Sequence, residues 1–87
     1  MVTREQALAF IMQNRKAAER DFLNLAKELF RKHDGILPPE VREKFLNAGG
    51  SYGEFKLNHD WHDEMIQEVW DGVLYAGLAI LKKEFLE

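Results

Sequence analysis

Apolar residues recur at alternating three- and four-residue steps through the first third of the chain. Leu8, Ile11, Arg15, Ala18, Phe22, Leu25 and Leu29 form a heptad-like seam, widened by Met12 and Ala26. Thr3 precedes it as an N-cap, with Glu5 and Gln6 in the first turn. The pattern predicts one long helix reaching His33. At about 100° per residue, Lys16, Arg20, Asn24, Lys27 and Arg31 share a narrow stripe on the far side. Arg15 is the exception, a charge inside the apolar seam. The helix is expected to stop at His33-Asp34-Gly35, with Gly35 supplying a left-handed residue and His33 sitting at the negative end of the dipole.

Ile36-Leu37-Pro38-Pro39 reads as an extended connector, because a residue before proline avoids the helical region. Pro39 suits the first turn of a short helix, roughly Pro39 to Ala48, with Glu40 and Glu43 near its positive end and Val41, Phe45 and Leu46 on its apolar side. Gly49-Gly50 stops it. A glycine-rich loop follows to Leu57, where the alternation of Phe55 and Leu57 with Glu54 and Lys56 permits a very short strand. Asn58 or Asp60 then caps a last helix running to about Leu86, with Asp63 and Glu64 in its first turn.

That last helix changes character half-way. Glu64, Glu68 and Asp71 line one side of its first half, opposite Ile66, Val69 and Val73. From Gly72 to Leu81 it carries no charge, and only the Tyr75 hydroxyl is a polar side-chain group. A helix apolar all round is buried on several sides. One long and one short helix can hardly cover it, so a subunit interface is expected at Gly72, Leu74, Ala76, Leu78, Ala79 and Leu81. Gly72, Ala76 and Ala79 share a face that lets a neighbouring helix approach closely. The expected architecture is all-α, a single domain over residues 1–87. Two long helices, antiparallel or crossing, enclose a short helix and a glycine-containing loop, assembled as a helical-bundle homo-oligomer with a dimer as its expected state.

Composition narrows the chemistry. At 46% apolar and 31% charged, the chain belongs with globular proteins and not with disordered ones. It has no cysteine, which excludes a disulfide framework, a thiolate metal site and a cysteine nucleophile. The opening MVTREQ lacks the apolar run of a signal peptide, so a cytoplasmic location is expected. The uncharged run is too short for a bilayer, which needs about 20 residues. The net charge of −3 divides unevenly, as +3 over residues 1–33, −1 over 34–56 and −5 over 57–87. Ends of opposite sign are expected to face each other, within one chain or between chains.

Candidate partner-binding residues are Lys16, Arg20, Lys27 and Arg31 of the basic stripe and Tyr52 and Phe55 of the loop. The stripe has no interleaved aromatic and the pI is about 5.6, which disfavours nucleic acid and suits an acidic partner. The favoured reading of the two loop aromatics is structural, with Phe55 tucked onto the core and Tyr52 at its edge. His59 with His62 or Asp63 has helical ligand spacing for a transition metal, but two histidines do not complete a site. Ser51 is the only serine and nothing places a histidine beside it, so no catalytic nucleophile is assigned.

Two acid pairs remain. Glu40 and Glu43 form Glu-x-x-Glu, and Glu68 and Asp71 form Glu-x-x-Asp. Acids three apart share a helix face, and two such faces can hold Mg²⁺ through oxygen ligands. The order of the pairs, followed by GVLYAGLAIL, resembles the all-α nucleoside-triphosphate pyrophosphatases, the MazG-like group. The resemblance covers Glu40 to about Leu81 and implies Mg²⁺-dependent hydrolysis of a nucleotide's pyrophosphate linkage by an oligomer, with Glu40, Glu43, Glu68 and Asp71 as metal ligands. Arg15 points elsewhere. A buried Arg needs a carboxylate, and Asp71, bordering the apolar half of the last helix, is its expected partner. The leading expectation is therefore a small intracellular binding or regulatory protein without cofactor, acting through protein contacts as a homo-oligomer. The alternative is a minimal or degenerate MazG-like pyrophosphatase.

Overall fold

The computed structural model describes residues 1–48 and 57–86. The architecture is all-α. Four helices follow one another as α1 (Arg4–Gln13), α2 (Arg15–His33), α3 (Pro39–Ala48) and α4 (Trp61–Leu86), with no strand among the described residues.

α1 begins where its cap dictates. The Gln6 amide donates to Thr3 Oγ1 at 3.1 Å, and the Thr3 amide donates back to Gln6 Oε1 at 2.9 Å, a closed capping box. The single helix expected up to His33 is divided at Asn14, which leaves the helical region at φ −108° and ψ 21°. Its side-chain amide donates to the Phe10 carbonyl at 2.9 Å, the local competition with the helix ladder that disfavours Asn in helix interiors. The chain resumes helix at once, with the Ala18 amide bonded to the Asn14 carbonyl at 3.0 Å.

α2 ends at His33 as expected, but its left-handed stop begins one residue before Gly35. Asp34 is already left-handed at φ 46°, and Gly35 follows at φ 80°. Asp is among the few side chains that visit this region. The Asp34 amide bonds to Phe30 O at 3.0 Å and the Ile36 amide to His33 O at 2.9 Å, closing the turn. α3 starts at Pro39, with the Pro38 carbonyl accepting from the Val41 and Arg42 amides, both at 3.0 Å. α4 is capped by Asp60, whose Oδ1 accepts from the Asp63 amide at 3.0 Å. The expected stop at Gly49-Gly50 and the short strand expected at Phe55–Leu57 lie outside the described residues or, at Leu57, in a turn.

α4 runs antiparallel to α1 and α2. Gly72 faces Phe22, Gly77 faces Ile11, and Phe85 packs edge-on against Phe10 with ring centroids 6.1 Å apart. A Cβ on Gly77 would lie 2.6 Å from Ile11 Cγ2, so only glycine lets these helices come so close. The core is small: Ile11, Ala18, Val73 and Leu81, with Gly77 among them. No Cα of α3 comes within 8 Å of another helix.

The core is also unfinished at one end. Leu25 and Leu29 continue the inner side of α2, and Ile66, Val69 and Trp70 continue the Val73 side of α4, yet all five are exposed. The chain presents 8185 Å² of surface. A folded chain of 10.2 kDa is expected to present about 5,300 Å². Its radius of gyration is 16.3 Å, against about 12 Å for a compact domain of this length.

Candidate functional site

The break at Asn14 decides where Arg15 goes. Asn14 takes the half-buried position in the seam, and Arg15 turns outward. Its Nε lies 3.3 Å from Glu19 Oε1, one turn along the same helix, with both side chains about half exposed. The expected Arg15–Asp71 pair is therefore absent, because an exposed Arg needs no cross-helix carboxylate.

The acid pairs do not converge within one chain. Glu40 and Glu43 ride on α3, no Cα of which lies within 8 Å of another helix, while Glu68 and Asp71 are exposed on α4. Among the described residues no cluster of three or more His, Asp or Glu could hold a metal ion. Glu68 and Asp71 have no basic group of the described residues within ion-pair distance.

His59 is engaged at the start of α4. His59 Nε2 lies 3.1 Å from Glu64 Oε1, and its ring packs edge-on against Trp61 at 4.7 Å. Both partners belong to the first turn of α4, so the cluster reads as a clasp on that helix end.

Lys16, Arg20, Lys27 and Arg31 are all exposed on α2, as a solvent-facing stripe requires. Arg20 alone has an ion-pair contact, with Asp21 at 3.9 Å. Tyr52 and Phe55 lie outside the described residues. The expected interface residues separate into two groups. Gly72, Ala76 and Leu81 are used inside the chain, Gly72 against Phe22 and Leu81 in the core, while Leu74, Leu78 and Ala79 face outward.

Two features escaped the sequence reading. One is the open end of the core, Leu25, Leu29, Ile66, Val69 and Trp70. The other is an apolar groove of about 500 Å³ where α2 meets the connector, lined among others by Leu29, Phe30, His33, Leu37 and Val41. A signal was present: the seam carries its largest side chains in the half where α4 turns acidic, so each lacks an apolar counterpart on one flank. No described helix is long and apolar enough to cross a membrane. No family model matches the chain, and comparison with curated proteins and with solved structures found no match.

Proposed function

We propose that this chain is a small intracellular helical protein that works as a homo-oligomer, with a dimer as the basic unit, and acts through protein–protein contacts. The observation behind the reading is the excess surface, roughly 2,900 Å² above that of a folded chain of this mass. A standard interface takes only about 800 Å² from each partner. The excess is also of the right kind. Leu25, Leu29, Ile66, Val69 and Trp70 form the contiguous open end of a core, and burying them completes it. The basic stripe of α2 stays outside that end and offers Lys16, Arg20, Lys27 and Arg31 to an acidic partner. Light scattering at micromolar concentration tests the proposal. A dimer or larger species is expected, and a strict monomer at high micromolar concentration overturns it.

A second reading, the Mg²⁺-dependent nucleotide pyrophosphatase or an inactive relative of it, is favoured by one observation. The cation expected to neutralise Asp71 is engaged with Glu19, which leaves Glu68 and Asp71 exposed at helical spacing. This reading requires a second chain, since the acid pairs of one chain stay apart. Release of pyrophosphate from a panel of nucleoside triphosphates with Mg²⁺, lost in Glu68→Gln, is its expected signature. A panel without release removes the active form of this reading.

A further inference from the structure

We infer that Asp34 is a site of spontaneous backbone isomerisation, and that the fold directs this chemistry to Asp34-Gly35 while sparing the same dipeptide at Asp71-Gly72.

The reaction is intramolecular. The Gly35 amide nitrogen attacks Cγ of Asp34, a C–N bond forms, and a carboxyl oxygen leaves as water. The product is a cyclic imide. Water then opens the ring at either carbonyl carbon. Attack at Cγ restores the aspartate. Attack at the former main-chain carbonyl leaves Gly35 joined through Cγ, an isoaspartyl residue whose α-carboxylate is now the side group. One water leaves and one returns, so the chain ends at its starting mass. A glycine after the aspartate favours the first step, because it has no Cβ to crowd the approach.

The chain carries this dipeptide twice, and the two copies differ only in their surroundings. Asp34 and Gly35 are exposed, between the end of α2 and the connector. Among the described residues, the Gly35 amide donates to no carbonyl and no cation pairs with the Asp34 carboxylate. A Cβ placed on Gly35 would meet nothing within 4 Å, so the attacking nitrogen has open space beside it. Asp34 is held at φ 46° and ψ 50°, a left-handed conformation that an L side chain adopts at a cost. Turning about its ψ to close the ring breaks one turn bond, from the Ile36 amide to His33 O. Asp71-Gly72 lies inside α4, where each amide is tied into the helix ladder. Gly72 is half-buried with the Phe22 ring against it. Cyclisation there requires α4 to open and that packing to be lost, so it waits on local unfolding. Isomerisation at Asp34 instead adds one carbon to the main chain of the turn that ends α2 and leads to α3, and so resets that turn covalently.

The full chain is incubated at neutral pH in oxygen-labelled water, below its melting transition, returned to ordinary water and digested, and the peptides are separated and weighed. Circular dichroism before and after establishes that the chain stays folded. The peptide holding Asp34 is expected to divide into two chromatographic forms and take up label, while the peptide holding Asp71 stays single and unlabelled. In urea the unfolded chain is expected to label both. Gly35→Ala is expected to slow labelling at Asp34 severalfold. Asp34→Asn is expected to react faster than the native chain, with ammonia leaving in place of water, whereas Asp71→Asn stays intact while folded. Equal labelling of the two peptides in the folded chain overturns the inference. So does a folded chain that labels neither over the period in which the unfolded chain labels both.

Discussion

Gly77 and Gly72 set how closely α4 approaches the first two helices, and they differ in how much a methyl group would cost. Gly→Ala inside a helix ordinarily gains about 1 kcal/mol. At Gly77 the new Cβ would lie 2.6 Å from Ile11 Cγ2 and 3.1 Å from Ile11 Cβ. Ile11 is buried, and a β-branched side chain has little freedom to turn away. Overpacking of this kind costs about 1–3 kcal/mol and outweighs the propensity gain. Gly77→Ala is therefore expected to lower stability in urea titration, and Ile11→Ala in the same chain to recover part of the loss, a non-additivity of neighbours. At Gly72 the obstacle is the Phe22 ring, half-buried and able to rotate, so Gly72→Ala is expected to cost less than Gly77→Ala. Arg15 gives the opposite case. Its exposed pair with Glu19 is worth about 0.5 kcal/mol at most. Arg15→Met is expected to leave the urea midpoint nearly unchanged and to show no coupling with Asp71→Leu. A coupling above about 1 kcal/mol would restore the cross-helix pair.

At the scale of elements, the helix ends are local devices and can be tested one at a time. Thr3→Ala opens the capping box of α1 and is expected to cost about 1 kcal/mol by thermal or urea unfolding. Gly35 lies at φ 80° with no atom near a prospective Cβ, so Gly35→Ala is strained by its backbone alone, at about 1–2 kcal/mol. Gly35→Asn is expected to cost less, since Asn tolerates this region. The elbow also has a consequence beyond stability. If its dihedrals direct α3 outward, relaxing them loosens the orientation of α3 before it unfolds α2 or α4.

For the whole molecule the governing quantity is the imbalance between a core of Ile11, Ala18, Val73 and Leu81 and a surface of 8185 Å². Association that buries the open end links stability to concentration, because a partner that binds only the folded state stabilises it by mass action. The melting temperature of the native chain is expected to rise with protein concentration. Val69→Glu, which puts a charge into the open end, is expected to abolish that dependence and shift the species seen by light scattering toward monomer. A melting temperature independent of concentration in the native chain would argue that the open end is not an interface.

The local features were determined by sequence alone. The N-cap at Thr3, the start of α3 at Pro39, the stop after His33 and a cap at Asn58 or Asp60 all rest on bonds between residues within about four positions of each other, so nearby side chains suffice to specify them; the structure selects Asp60. The all-α class follows from the same periodicity. What the tertiary structure decided involves distant partners. Asn14, unremarkable in the seam pattern, turned Arg15 outward and removed its need for Asp71. Gly72, placed by its neighbours on a subunit interface, packs instead on Phe22 of the same chain, because antiparallel register chooses which residues meet. Whether Glu40 and Glu43 share a space with Glu68 and Asp71 was equally beyond local reading. Their distance depends on the elbow at Asp34-Gly35, which swings α3 clear of α4 and leaves each acid pair alone on its own helix.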